Sequence, residues 1–307
     1  MNRFVCPLIV LVLATAPDCY AAKIWARKME IVRAGTDFAT VLRDSVVLTD
    51  EQLQLVCRLA VFEESRDMAR AKDSVTITTP DGILYADSAM YNLRTRVAEL
   101  LGRVTVVQES LVISAAKLLY SVTDRQARAD EGLVLENAGR GYRLTGKRGY
   151  YQLDSRTGIV DSEPVLSWVY CSDTVQATGR LITWRQTSAL AVAAGRVRVV
   201  SGRGELTCDT ALFYADADSG VAWGSPEVLD SRGRASGDTM VFNVHQGSLA
   251  TVVVRGRADG VYTTDAGDIV DVGGTAFRLW FEQGDITQID VDRMTTGRLL
   301  RAQRTQQ

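Results

Sequence analysis

The sequence predicts an all-β fold, an elongated β-jelly-roll or spiral assembled from two-strand repeats of about thirty residues. Three observations carry this. Apolar and polar residues alternate with a period of two in Val75-Thr76-Ile77-Thr78, Val104-Thr105-Val106 and Val197-Arg198-Val199, the pattern of half-buried strands. Turn formers separate such runs at Pro80-Asp81-Gly82, Asn137-Ala138-Gly139, Asp218-Ser219-Gly220 and Gln246-Gly247. An aromatic residue also recurs, with a small or turn-forming residue five places before it. The pairs are Cys57/Phe62, Ala86/Tyr91, Ala115/Tyr120, Gly146/Tyr151, Gly179/Trp184, Asp209/Tyr214 and Gly237/Phe242, so the aromatics are 29, 29, 31, 33, 30 and 28 residues apart.

The N-terminus reads as an export signal. Arg3 gives a positive start, Phe4 to Ala16 form a short apolar run, and Cys19-Tyr20-Ala21 offers a cleavage site before Ala22. The expectation is a cleaved signal peptide over residues 1–21, because the apolar run falls short of the roughly 20 residues of a membrane span. Cleavage leaves Cys57, Cys171 and Cys208. An odd count cannot pair fully within one chain, and buried unpaired thiols are the expectation.

A repeat array follows over 22–297, divisible into two consecutive modules at about 40–160 and 161–292. Other columns travel with the aromatic one. Seven residues before it stand Leu55, Leu84, Ile113, Leu144, Ala177, Thr207 and Ala235; seven after it stand Ala69, Ala98, Ala127, Gly158, Ala191, Val221 and Leu249. The small residue and the aromatic, being five apart, would face opposite ways in a straight strand. Both columns are apolar or small, so a bend or bulge between them is expected, carrying each strand from one sheet to another. Thr275–Phe281, a turn at Glu282–Asp285 and Ile286–Val291 read as a terminal hairpin, and 298–307 as a flexible tail.

Composition narrows the function. With 35 basic and 37 acidic side chains the net charge is −2, without the basic excess that nucleic-acid binding needs. The single histidine, His245, stands before the Gln246-Gly247 turn, where a solvated side chain is the ordinary case rather than a triad member. One histidine cannot make a multi-histidine metal site. Carboxylate pairs such as Asp216 with Asp218, or Glu63 with Glu64, could be imagined as a glycosidase or lyase site, but strand ends and turns are where acids are ordinary. Gly202-Arg203-Gly204 lacks the lysine of a phosphate loop. No catalytic residue, cofactor or metal is expected.

The columns resemble the OstA/LptA-like family of lipopolysaccharide-transport proteins. The segments LYADSAMYNLRTRVAELLGRVTV (84–106) and ISAAKLLYSVTDRQARADEGLVL (113–135) carry the likeness. Ala86-Asp87, Tyr91, Ala98, Gly102 and Val104 fill the family's small-Asp, Tyr, Ala and Gly-x-Val slots, and FRLWFEQGDITQIDV (277–291) is similar to its closing hairpin. The resemblance covers about 40–292 and is weakest over 160–200. It implies a periplasmic jelly-roll, open on one side, that shelters the acyl chains of lipopolysaccharide or a similar glycolipid. Such folds join edge to edge with other β-jelly-roll transport proteins, or with copies of themselves, to bridge the inner and outer membranes.

On that reading the inward apolar face supplies the lipid contacts: Ile77, Leu84, Tyr91, Val104, Val106, Ile113, Leu118, Tyr120, Leu133, Leu135 and Tyr151. For any one of them a dry core is the readier reading, and only an open seam between the sheets would make a core a binding site. Edge-strand assembly falls to Val41, Val46 and Leu48 at the front and to Phe277, Leu279 and Phe281 at the back. Two other classes remain: a structural or adhesive β-solenoid at the cell surface, and a carbohydrate-active enzyme on a β-helix.

Overall fold

Alternation of buried and exposed residues runs through the strands and changes phase in the middle of them. In Gly82–Asn92 the inward side chains are Leu84 and Ala86, then Ala89 and Tyr91. The phase change is a bulge: Tyr85 pairs with Thr105 and Ser88 with Leu101, so the register slips between them. This is the bend that the five-residue spacing requires, and it puts Ala86 and Tyr91 on the same inner side. The computed structural model describes residues 11–12, 23–34, 37–51, 53–139, 141–170, 173–202, 204–245, 248–282 and 285–301. The expected signal peptide therefore lies outside the described residues, except for a two-residue strand at Leu11–Val12 paired with Ile24 and Lys23.

The strands pair antiparallel, the long ones each with its successor, and slip at the same level: Arg43/Val46, Val56/Leu59, Lys72/Val75, Leu101/Val104, Ala194/Val197 and Arg255/Ala258. Every second strand turns its corner with left-handed backbone, as at Asp44-Ser45, Asp73-Ser74, Gly102, Gly195-Arg196 and Gly256-Arg257. Gly102 shows why glycine suits this corner. Its φ is +96°, and a Cβ there would stand 2.3 Å from the Asp87 carboxylate, which instead accepts hydrogen bonds from the Arg103 backbone N–H (3.2 Å) and guanidinium (2.9 Å). Each strand thus has two arms, one on either side of the corner, and side chains of both arms meet in a shared core. Val46, Leu48 and Leu55 from one arm face Leu42, Phe62 and Ala69 from the other.

The turns beside the aromatic column stack as regularly. A left-handed residue ends each one: Asp67, Arg96, Arg125, Arg156, Ala189 and Asp218. Its carbonyl accepts from the next turn: Leu93 N–H to Asp67, Val122 to Arg96, Leu153 to Arg125, Gln186 to Arg156, Ala215 to Ala189 and Val244 to Asp218, all at 2.8–3.0 Å. The ladder satisfies backbone groups that tight turns would otherwise leave unpaired.

The chain divides into two compact units, 1–139 with 147–154, and 140–146 with 155–307. Three expectations need correction. The aromatic of the sixth repeat is Phe213, not Tyr214: Phe213 pairs with Gly220 as Tyr91 pairs with Ala98 and Tyr120 with Ala127. Cys208, five residues before Phe213, then takes the place of Cys57; their thiols donate to the carbonyls of Thr210 and Leu59 respectively. Tyr214 is exposed.

The expected edges are interior. Val41, Val46 and Leu48 lie in Asp37–Thr49, which is flanked by Gln54–Glu63 on one side and by Lys23–Trp25 and Lys28–Ala34 on the other. Phe277, Leu279 and Phe281 lie in Ile269–Glu282, between Ser248–Thr263 and the strands Asp285–Asp292 and Thr296–Leu300. Leu299 and Leu300 are therefore strand rather than flexible tail. The outer strands were hidden because both their faces are exposed. Lys28–Arg33 and Thr296–Leu300 have no buried side chain, so no period of two marks them.

Candidate functional site

All eleven residues expected to line a trough are inward and at most 4 % exposed, and they belong to the first unit. The void bounded by Leu42, Val46, Leu55, Phe62 and Ala71 is about 10 Å³, room for at most one water. The tips of the two arms are also tied together. Arg96, in a turn of one arm, places Nη2 3.3 Å from both carboxylate oxygens of Asp50 in a turn of the other. The two side chains are only 10 % and 8 % exposed, and the Tyr91 hydroxyl is 3.5 Å from the same carboxylate. One repeat on, Arg125 makes the equivalent bond to Asp81 and a second, at 2.9 Å, to Asp154. Burial, foremost, raises the Tyr91 and Tyr120 hydroxyls above the ordinary tyrosine pKa, with Asp50 adding to the rise at Tyr91. Both stay neutral and available as hydrogen-bond donors.

The second unit is built on the same frame and is open. Past Arg156 the left-handed turn position holds Ala189 and then Asp218, and the aromatic column changes from tyrosine to Trp184, Phe213 and Phe242. Neither column offers a long cation or a hydroxyl to reach across. The aromatics lie down on the sheet instead. The Phe242 ring covers Gly220 so closely that a Cβ there would meet Cζ at 2.1 Å. Phe213 contacts Trp168 and Phe242 at ring-centroid distances of 5.3 and 5.9 Å.

What remains between the arms is a cleft of about 560 Å³, within the usual range of ligand sites. Its walls are Trp168, Phe213, Phe242, Val252, Phe277 and Ile289, among other apolar side chains, with the Tyr142 and Trp184 rings 4.0 Å apart between centroids and tilted by 43°. Polar groups appear in turns and arm tips, at Ser201, Asp218, Ser219 and Asp230. Val169 and Leu229, both of which also line it, are 70 % and 55 % exposed.

The sequence reading missed this site. Its signal was present in the loss of tyrosine and arginine from their columns after Tyr151 and Arg156, and in the replacement of alanine by Gly158 and Gly220 opposite the aromatics. Asp216 and Asp218 are exposed in a turn, and His245 is an exposed strand end paired with Ser248. Among the described residues no group of three or more His, Cys, Asp or Glu side chains could hold a metal ion. Glu64 has no described side chain, and Arg203 lies outside the described residues.

Antiparallel strands that bend along one line and enclose apolar space between two arms define an open β-jelly-roll. Residues 25–167 match the model of the OstA-like protein family. That stretch is thus similar to OstA-like proteins, as the Ala-Asp, Tyr and Gly-x-Val slots imply. No curated protein matches the chain. Of the cleft residues only Tyr142 and Leu166 fall within the matched stretch, so the case for the cleft rests on its geometry.

Proposed function

We propose that this chain is a periplasmic glycolipid-binding protein, with lipopolysaccharide or a related lipid as its cargo and the cleft of the second unit as its acyl-chain site. The OstA-like family supports a lipopolysaccharide- or solvent-related transport and binding role rather than catalysis. The observation that carries the finer reading is the apolar cleft of about 560 Å³, far larger than the void of about 10 Å³ beside Leu42 and Phe62 in the first unit. Each acyl methylene transferred into such a space contributes roughly 0.8 kcal/mol, so a single chain of a dozen carbons would be held without any specific polar contact. Export by the N-terminal signal and a place between the two membranes of a diderm cell belong to this proposal. So does joining of jelly-rolls through outer strands, which on the corrected topology are Lys28–Ala34, Asp285–Asp292 and Thr296–Leu300. The burial of the first unit's inward residues, at most 4 % exposed, favours a second, structural role for that unit, as a strut in such a bridge.

Tryptophan quenching tests the site. Trp168 and Trp184 line the cleft, whereas Trp25, Trp223 and Trp280 do not. A glycolipid or detergent with brominated acyl chains should quench the wild-type protein, and most of that quenching should disappear in Trp168→Phe/Trp184→Phe. Quenching that survives the double substitution would place the lipid elsewhere.

A further inference from the structure

We propose that the arginine–aspartate pairs of the first unit are latches, and that they hold shut a second acyl-chain site equivalent to the open cleft. The inference rests on the reading of the cleft as a lipid site and concerns its regulation. The two units share the corner, the stacked turns and the inward apolar columns. They differ at the tips of the arms. In the first unit, Arg96 meets Asp50 and Arg125 meets Asp81 across the seam. In the second, the same turn position carries Arg156 at its start and then Ala189 and Asp218, and it is past Arg156 that the seam stands apart over the cleft.

Length and placement suit a latch. Each arginine sits in a left-handed turn residue whose carbonyl is tied into the turn ladder, so its backbone is fixed and only the side chain has to let go. Each partner sits in a turn between two strands of the other arm, Asp50 before Leu53 and Asp81 before Gly82. The two latches differ in exposure. The Arg96–Asp50 side chains are 10 % and 8 % exposed, whereas Arg125 is 45 % exposed and Asp81 13 %. The outer pair is open to competition from water, salt or a charged headgroup at the seam, and its release leaves the inner pair in place. Behind them lie Leu84, Ile113, Leu118 and Leu135, which become trough walls when the arms part.

The test uses the purified full chain and 1-N-phenylnaphthylamine, an uncharged apolar fluorophore, titrated to saturation. Wild-type protein is expected to take up the dye at the cleft alone, and Gly220→Val, which drives Phe242 into the cleft, is expected to remove that uptake. Arg96→Gln/Arg125→Gln should raise the amount bound at saturation about twofold, and the added half should resist Gly220→Val. Should the double variant fail to fold, Arg125→Gln alone is used in increasing salt, where uptake should exceed that of wild type at the same salt. A folded variant with unchanged uptake overturns the latch while leaving the cleft standing. Uptake by the variant but not by wild type overturns the cleft and leaves the latch. No uptake by either overturns both.

Discussion

Single side chains decide whether the space between the arms is core or cleft. Tyr120 is 2 % exposed, and Tyr120→Ala is expected to cost about 3–5 kcal/mol, as for other buried aromatics; an unchanged denaturation midpoint would show that it does not face the core. Burial raises the pKa of Tyr91 and Tyr120 in the folded chain. The stability linked to them is complete below the unfolded value of about 10 and is lost as pH rises through the folded values. Stability should therefore fall above about pH 10, and Tyr91→Phe/Tyr120→Phe should flatten that fall; equal alkaline slopes in both proteins would contradict it. Burial likewise pushes the Cys57 and Cys208 thiols up to about 11. At pH 8 neither should be alkylated until the chain is unfolded, which peptide mass spectrometry after iodoacetamide can check. Inward position was legible for all eleven core residues because period two reports which way a side chain faces. Whether the space in front of it is filled depends on the opposite arm, far away in sequence, and a period cannot report that.

At the scale of the strand, the corner is the organising feature. The five-residue spacing announced it, since two apolar columns of opposite parity can face one core only through a change of register. The left-handed pairs that make the corner were less visible. Two corners use Asp-Ser, at Asp44-Ser45 and Asp73-Ser74, and two use Gly-Arg, at Gly195-Arg196 and Gly256-Arg257, so no single residue type marks them. Gly102→Ala should be destabilising by about 1–3 kcal/mol, through the strained φ and the contact with Asp87. Asp87→Asn should cost less, because that exposed carboxylate only orders the corner through Arg103. If thermal denaturation ranks the two the other way round, the corner is held by charge and not by backbone geometry. The outer strands and the displaced aromatic Phe213 escaped the sequence reading for opposite reasons. Lys28–Ala34 and Thr296–Leu300 lack a buried face, whereas Phe213-Tyr214 presents two adjacent aromatics and only the partner Gly220 shows which one is inside.

At the scale of the whole chain, one repeat has been put to two uses. The first unit ties its arm tips with arginine, aspartate and tyrosine hydroxyls; past Arg156 the second carries alanine and aspartate in the turn column and tryptophan and phenylalanine in the aromatic one, and keeps a cleft. The repeat itself was plain in the sequence, and so was the OstA-like character of residues 25–167. The division of labour was not, because it lies in departures from the repeat. The central claim is that acyl chains bind in the second unit's cleft and not among the packed tyrosines of the first. The most direct measurement is photo-crosslinking in living diderm cells, with a photoreactive residue in place of Phe213 in the cleft, Tyr120 in the closed core, or the half-buried Thr105 on the outer face. A glycolipid adduct from position 213, with none from 120 or 105, is the expected result. Adducts from 120 but not 213, or protein adducts alone at all three, would contradict the account.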